Sequence, residues 1–187
     1  MPLYDTVEID QWFWSLFDSP EPRLPDPATA AEYARQVPEG FRFTIKVPNS
    51  ITLTHHYQRD KSKPLRPNPH FFSQELFGEF LRRIEPLSER IGALILQFEY
   101  LNRQKMSGLA AFLERLERFL AGLACPAPLA VESRNPNYLK PEFFRFLDRH
   151  ELAPCFLQGY YMPPIFGICE KCADQLTDNV VIRLHGP

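Results

Sequence analysis

Six short apolar runs with little polar alternation recur along this chain. They are rich in Val, Ile, Phe and Leu, and they cover residues 6–10, 41–47, 93–98, 128–133, 153–158 and 180–185. Strands that are buried on both faces of a parallel sheet have this near-continuous apolar pattern. The pattern therefore predicts six strands of a parallel sheet.

Amphipathic segments between most of these runs predict helices. The clearest covers 107–123, where apolar residues recur at i, i+3, i+4 and i+7 and Ser107 is a suitable N-cap. Asp26 and Pro27 suit the cap and first turn of a helix over 28–36. Further helices are predicted over 73–85 and 141–150, and a short one over 170–176.

The alternation of strands and helices predicts an α/β fold in one domain over residues 1–187. A barrel of eight strand–helix units uses about 31 residues per unit, so a chain of 187 residues holds about six. An open, doubly wound sheet is the structural alternative.

Polar or charged residues interrupt five of the six predicted strands, at or near their C-terminal ends. They are Glu8 and Asp10, Lys46, Gln97, Glu132 and Arg134, and Arg183 and His185. A buried charge costs several kcal/mol, on the order-of-magnitude scale, unless it is paired or lines a cavity. In a barrel of parallel strands the C-terminal ends form the active-site face, so we expect one shared polar cavity there.

These residue types suggest how such a cavity could act. Glu8 and Glu132 are candidates for general acid and base, and His185 for proton transfer near neutral pH. Lys46, Gln97, Arg134 and Arg183 are candidates for holding a carboxylate or phosphate group. The structural alternative is a network of ion pairs that only stabilises the interior, for example between Glu8 and Lys46 or between Glu132 and Arg134.

The long loop over 48–71 follows the strand that contains Lys46. Between residues 55 and 70 it holds Arg59, Lys61, Lys63 and Arg66 against Asp60, together with His55, His56 and His70. Loops longer than about 12–15 residues are uncommon unless they are functional or disordered. One interpretation is a basic lid over an anionic ligand, with Thr54 as a binding residue and His55 as a catalytic one. The other is a solvated surface loop.

Two further motifs are weaker. Trp12, Phe13, Trp14 and Phe17 could stack a sugar or a base, although such clusters more often pack in the core. The motif Cys169-x-x-Cys172 lacks the second ligand pair of a zinc site and the strand–motif–helix context of a redox site. Incidental cysteines are therefore favoured over a partial metal site or a redox role.

The order of these motifs resembles the YecE-like family of TIM-barrel proteins, a domain of unknown function. The matching segments are VEIDQWFW (7–14), GFRFTIKVPNSITLTH (40–55), RIGALILQFEYL (90–101), AVESRNPNYL (130–139), GYYMPPI (159–165) and VVIRLHGP (180–187). The resemblance implies a TIM-type (β/α) barrel, here incomplete, with about six parallel strands and flanking helices. The loop containing Tyr160 and Tyr161 resembles a family loop as well, and it could line the mouth of the cavity.

The family normally has one more strand before this region and another after it. We therefore expect a chain that is truncated at both ends, a wrongly assigned start and stop, or a barrel completed by another chain, with self-association through its open edges as one outcome.

Composition and charge narrow the expected partners and location. The formal net charge is −2, from 21 Lys and Arg against 23 Asp and Glu, so nothing global points to nucleic acid or an anionic membrane. No apolar run approaches the roughly 20 residues that span a bilayer, and the N-terminus does not resemble a secretory signal. With four cysteines and no export signal, we expect a cytoplasmic protein.

No cofactor is predicted. A metal bound by Glu8, Glu132 and His185 is conceivable, but the neighbouring cations compete for the same carboxylates, so no metal site is expected.

The leading functional hypothesis is a barrel protein that binds a small anionic or phosphorylated ligand in a cation-rich pocket. A hydrolase or lyase activity and a purely binding role are both open. The alternatives are a non-catalytic nucleic-acid-binding protein, using the basic loop with Trp12 and Trp14, and an inactive barrel fragment.

Overall fold

Six strands alternate with six helices in the computed structural model, within the ranges that it describes, which are residues 4–16, 21–58, 60, 62–159, 161–176 and 179–185. The strands are β1 (Thr6–Ile9), β2 (Arg42–Lys46), β3 (Ile91–Gln97), β4 (Leu129–Glu132), β5 (Ala153–Gln158) and β6 (Val181–Leu184). The helices are α1 (Pro27–Gln36), α2 (Asn49–Thr52), α3 (Gln74–Arg83), α4 (Leu109–Leu120), α5 (Pro141–Arg149) and α6 (Ile165–Cys172).

The strands are parallel and form one sheet in the order β1-β2-β3-β4-β5-β6. Each strand therefore pairs with the strand that follows it in sequence, as in a TIM-type barrel. Six parallel strands with flanking helices are an α/β fold consistent with an incomplete barrel of this type, which confirms the predicted fold class.

The six predicted strands are all confirmed, with ends displaced by at most two residues. The helices predicted over 28–36, 73–85, 107–123 and 141–150 are also present. The Asp26 cap is confirmed, because its Oδ1 accepts a hydrogen bond from the backbone N–H of Ala28 at 3.0 Å. At α4 the N-cap is Gly108 rather than Ser107.

Two helical segments differ from the prediction. Helix α2 has only four residues, too few for an apolar period to show in the sequence. Helix α6 begins at Ile165, five residues before the predicted start. Pro164 precedes α6 directly, and a helix that starts immediately after prolines is easily mistaken for the end of a loop.

The chain divides into two compact units. The first comprises Met1–Leu94 and Gly122–Ala127, and the second comprises Ile95–Ala121 and Pro128–Pro187. The prediction of a single domain stays a prediction.

In the first unit, apolar side chains of β2 and α3 form a buried core. Ile45, Phe77 and Phe80 are fully covered, and Tyr33 of α1 stacks on Phe43 with ring centroids 6.3 Å apart. Ser73 caps α3 by accepting a hydrogen bond from the backbone N–H of Leu76. The strand interior is thus covered on the helix side, as its apolar sequence predicts.

The core of the second unit lies along β3, β4 and β5. Ile95, Ala130, Ala153 and Cys155 form a buried cluster, against which Val181 of β6 packs. The other face of these strands packs against aromatic rings of α4 and α5: Phe112 contacts Phe98, just after β3, and Phe144 contacts Phe156 of β5. Small residues of β4 and β5 thus share one buried face of the sheet, and aromatic rings cover the other.

Within the described ranges, the helices are all too short or too polar to cross a membrane.

Candidate functional site

Glu132 is the centre of the polar cluster in the second unit. It is the last residue of β4, and none of its side chain is exposed to solvent. Its Oε2 accepts a hydrogen bond from Arg183 Nη1 at 2.5 Å, and its Oε1 accepts one from Arg134 Nε at 3.2 Å. Cys155 Sγ lies 3.7 Å from Oε2 as a weak donor. Both carboxylate oxygens are therefore occupied by cationic donors.

Arg183 connects β6 to the end of β3. Its Nη1 also donates to Gln97 Oε1 at 3.0 Å, so one guanidinium holds both a carboxylate and an amide. The parallel register places Arg183 beside Leu157 of β5. Because Gln97, Glu132 and Arg183 stand on three strands of the unit, the sheet itself fixes their separation.

Arg134 is the most accessible member of this cluster. Its side chain is 28% exposed, against 11% for Arg183 and 0% for Glu132. The set formed by these contacts contains two guanidiniums and one carboxylate. A buried carboxylate that orients two arginines, with the outer one reaching solvent, suits the recognition of an anion by forked hydrogen bonds.

A cavity of about 710 Å³ in the same unit is lined by Tyr100, Pro136, Asn137 and Tyr161. The two tyrosine rings meet edge to face, with centroids 6.1 Å apart and planes at 88°. Partial burial raises the pKa of Tyr161, the Arg134 guanidinium opposes that shift, and Tyr100 adds to it. Arg134 therefore lies within electrostatic reach of a residue that lines the cavity.

His185 stands just after β6 and is half-buried. Its backbone N–H donates to the carbonyl oxygen of Gln158 at 2.9 Å, which continues the β5–β6 pairing by one residue. The pairing fixes where His185 leaves the sheet, in the same unit as Glu132.

The first unit contains a second ionic cluster, around Lys46. The Lys46 ammonium forms an ion pair with Glu8, at 3.3 Å between Nζ and Oε1, and another with Asp10. It also lies 5.4 Å from the centre of the Phe13 ring. A smaller cavity of about 300 Å³ is lined by residues of β1, by Asp10 just after β1, and by residues of α1 and β2; Glu8 is among them. Two carboxylates outnumber one cation here, so this surrounding does not favour an anion.

The loop after β2 is tied down by Asn68. Its Nδ2 donates to the carbonyl oxygens of Ser50 and Leu53, at 2.8 and 2.7 Å, and its backbone N–H donates to Thr54. Thr54 is buried, and its Oγ1 lies 3.0 Å from His55 Nδ1. Burial of the imidazole lowers the pKa of His56, and the charges of Arg66 and His70 lower it further.

Of the basic residues predicted to form a lid, Lys63 and Arg66 are exposed, whereas Arg59 and Lys61 lie outside the described residues. The role of the loop as a lid stays a prediction.

The aromatic stretch after β1 divides between core and surface. Trp12 is buried and stacks on Tyr33 with centroids 5.9 Å apart, and Phe13 is buried as well. Trp14 is 55% exposed, and Phe17 lies outside the described residues. The burial of Trp12 removes one of the two rings that the nucleic-acid hypothesis requires.

Cysteine, histidine and acidic side chains are the residue types that most often hold a metal ion. Cys169 and Cys172 are free thiols on α6. Burial raises the pKa of the Cys172 thiol, and the nearby Cys169 raises it further. In the part of the chain that the structure describes, His, Cys, Asp and Glu side chains do not gather in groups of three that could hold a metal ion.

Comparison with known proteins gives the family. Residues 3–187 match the family described as "Protein of unknown function DUF72". The chain belongs to the DUF72 family. No curated protein matches it.

Solved structures of the same family share the fold. A DUF72 family protein from Enterococcus faecalis, solved at 2.52 Å, is 21% identical and has a TM-score of 0.61, with 98% of this chain and 66% of that chain covered. A second structure of that protein, solved at 3.10 Å, is 22% identical and has a TM-score of 0.56, with 86% of this chain and 52% of that chain covered. A DUF72 family protein from Thermotoga maritima is 22% identical and has a TM-score of 0.58, with 97% of this chain and 59% of that chain covered. This chain therefore spans about half to two thirds of the length of these relatives.

The structure brings some of the predicted site residues of this DUF72 chain together. In the second unit, Glu132 contacts Arg134 and Arg183, and Arg183 contacts Gln97. In the first unit Glu8 contacts Lys46, and Thr54 contacts His55. The ion pairs named as a structural alternative, Glu8–Lys46 and Glu132–Arg134, are both present. That all of these residues share one cavity stays a prediction.

The sequence did not single out Tyr100 or Cys155. Tyr100 comes three residues after Gln97, so its position just beyond a strand end was the available signal. Cys155 lies inside an apolar strand, where a thiol is indistinguishable from any small core residue. Tyr161, in the loop predicted to line a cavity mouth, does line a cavity, whereas Tyr160 lies outside the described residues.

Proposed function

We propose that this DUF72 protein binds a small anionic or phosphorylated ligand through Arg134 in the second unit, supported by Arg183 and Glu132. The observation that carries the proposal is the fully buried Glu132, whose two oxygens accept hydrogen bonds from both arginines. Such an arrangement fixes the guanidinium orientations before a ligand arrives, which lowers the entropic cost of binding.

Charge and access support the same choice of site. Arg134 is the most exposed member of the cluster, and its charge lies within electrostatic reach of Tyr161, which lines the cavity. Ligand pockets usually have volumes of about 300–1,000 Å³, and the cavity of about 710 Å³ lies in this range.

The roles of the predicted residues follow from these surroundings. Glu132 positions the two arginines, and Gln97 supports Arg183. Lys46 is left out of the proposed anion site, because Glu8 and Asp10 both face it. Acid–base roles for Glu8, Glu132, His55 and His185 stay predictions, as do a hydrolase or lyase activity, the YecE-like assignment, the cytoplasmic location and the nucleic-acid alternative.

Calorimetric titration with inorganic phosphate and ribose 5-phosphate tests the proposal. In Arg134→Met we expect the dissociation constant for both ligands to rise at least tenfold, and in Arg134→Lys by less. Arg118→Met is the control, because Arg118 is an exposed arginine on α4 whose loss leaves the cluster intact.

The thermal midpoint of each variant separates binding from folding. Binding that is equal in Arg134→Met and Arg118→Met, with both variants folded, would contradict the anion site. A phosphate ligand at about 100 times its dissociation constant should stabilise the wild-type protein by roughly 2.7 kcal/mol.

A further inference from the structure

The cavity beside Arg134 has an unusual lining for a purely anionic ligand. Tyr100 and Tyr161 expose 52% and 60% of their surface, although their rings are in contact with each other. Pro136 adds an apolar wall, and Asn137 adds an exposed amide. Aromatic rings that remain accessible at the rim of a cavity offer flat faces on which another ring can stack.

The edge-to-face contact gives the two rings different roles. Because their planes stand at 88°, they cannot both lie parallel to one flat ligand. A planar ring that stacks on one tyrosine meets the other at its edge, which is also a favourable aromatic arrangement. The pair therefore forms an L-shaped corner rather than a slot.

Two polar side chains, those of Asn137 and Arg134, lie near this corner. The Asn137 side chain carries an acceptor and two donors, the set that pairs with the hydrogen-bonding edge of a nucleobase. Arg134 stands two residues before Pro136, its guanidinium opposes the rise that burial causes in the pKa of the Tyr161 phenol, and it is the most exposed cation of the cluster. A ring site and an anion site thus adjoin each other within one unit.

We propose that the ligand of this site is a nucleoside phosphate. Its base stacks in the Tyr100–Tyr161 corner, its hydrogen-bonding edge meets Asn137, and its phosphate is held by Arg134. This inference rests on the proposed anion site and adds the class of compound that the site takes. The volume of about 710 Å³ accommodates a ligand of this size.

Four ligands separate the two parts of the site: adenosine 5′-monophosphate, adenosine, ribose 5-phosphate and inorganic phosphate. By calorimetry we expect adenosine 5′-monophosphate to bind at least tenfold more tightly than ribose 5-phosphate. Tyr161→Ala should remove that advantage and leave ribose 5-phosphate binding unchanged. Tyr161→Phe should keep it, since stacking needs the ring and not the hydroxyl.

Tyr57→Ala is the matched control, because Tyr57 is a tyrosine of the first unit that is 65% exposed. Equal effects of Tyr57→Ala and Tyr161→Ala on adenosine 5′-monophosphate would overturn the inference. Arg134→Met should weaken adenosine 5′-monophosphate and ribose 5-phosphate by the same factor, since both present one phosphate.

The two proposals fail in different ways. If ribose 5-phosphate binds through Arg134 and adenosine 5′-monophosphate binds no more tightly, the nucleoside site is overturned and the anion site stands. If adenosine binds through Tyr161 and a phosphate adds nothing, the anion site and the nucleoside phosphate assignment both fall. Tighter binding of adenosine 5′-monophosphate that depends on both residues supports both proposals.

Discussion

At the scale of single residues, Glu132 and Tyr138 are both buried, but only the Glu132 side chain has hydrogen-bond partners for its polar atoms among the described residues. Glu132 has cationic donors on both oxygens, so its charge is compensated inside the protein. Tyr138 is 2% exposed, and its hydroxyl has no hydrogen-bond partner among the described residues. Removing the Glu132 charge would therefore leave two arginines without their carboxylate, whereas burial of the Tyr138 hydroxyl costs desolvation free energy that no hydrogen bond offsets.

Glu132→Gln should lower the free energy of unfolding by about 3 kcal/mol, because Arg134 and Arg183 then share a neutral amide in a buried place. Urea denaturation gives this value. Glu114→Gln is the control: Glu114 forms an exposed ion pair with Arg118 on α4, and the expected change is below about 0.5 kcal/mol. Similar losses in the two variants would show that the buried cluster contributes no more than a surface pair.

Tyr138→Phe should leave the free energy of unfolding unchanged or raise it by up to about 1 kcal/mol, because it removes a buried hydroxyl that lacks a partner. Tyr33→Phe is the contrast, since the Tyr33 hydroxyl accepts a hydrogen bond from Gln11 Nε2 at 2.6 Å and its loss should destabilise. A clear destabilisation in Tyr138→Phe would indicate that the hydroxyl has a partner after all.

The same residue predicts a pH dependence. Burial of the phenol raises the pKa of Tyr138 in the folded protein, and electrostatic repulsion from Tyr100 raises it further. The unfolded chain therefore releases this proton at a lower pH than the folded protein does, so the free energy of unfolding falls as the pH rises above about 10. Denaturation curves recorded between pH 8 and pH 11 should show a smaller decline in Tyr138→Phe than in the wild type; equal slopes would contradict the assignment.

At the scale of secondary structure elements, the close pairing of β5 and β6 depends on a glycine. Gly159 follows β5 directly and has a φ of +119°, a conformation that residues with a side chain rarely adopt. A Cβ added there would lie 2.9 Å from the backbone oxygen of His185, just beyond β6. The chain leaves β5 by a path that only glycine permits, and this lets the segment after β6 approach closely.

Gly159→Ala should lower the free energy of unfolding by about 1–3 kcal/mol, because the strained φ and the backbone clash act together. Gly167→Ala is the control. Gly167 lies inside α6 with nothing within 4 Å of an added Cβ, and alanine there should stabilise the helix by up to about 1 kcal/mol. Thermal or urea unfolding of both variants measures the difference, which would vanish if the turn after β5 could relax.

At the scale of the whole molecule, the sheet has two terminal strands. β1 and β6 stand at the ends of the strand order, and in the described part of the chain neither has a strand on its outer side. Each exposes apolar side chains: Val7 is 49% exposed, Ile182 55% and Leu184 76%. An accessible strand edge with apolar side chains favours pairing with another chain, which motivates the prediction of self-association.

Leu184→Lys should reduce self-association of the protein, because a charge on an edge strand opposes strand addition. Sedimentation velocity over a hundredfold range of concentration is the measurement. Tyr57→Lys is the control, since it places the same charge at an exposed position on a loop. A wild-type protein that remains monomeric throughout, or equal effects of the two lysines, would contradict the prediction.

The elements of this protein could be predicted because their signals are local. Strand positions follow from continuous apolar runs and helix positions from apolar periodicity, since burial of each element selects these patterns. Caps such as Asp26 were readable for the same reason: donor and acceptor lie two residues apart. The four-residue helix α2 was missed because so short a stretch carries no period, and the early start of α6 was missed because prolines stand directly before it.

The polar residues at the strand ends were visible in the sequence, but their pairing was not. Glu132 stands between Arg134, two residues away, and Arg183, 51 residues away, and only strand register decides the second contact. Tyr100 and Tyr161, 61 residues apart, form a corner for the same reason. Local sequence patterns specify which elements form and which residue types stand at their ends. Which of those side chains meet depends on the folded unit, because the packing of all its elements sets the distances between the strands.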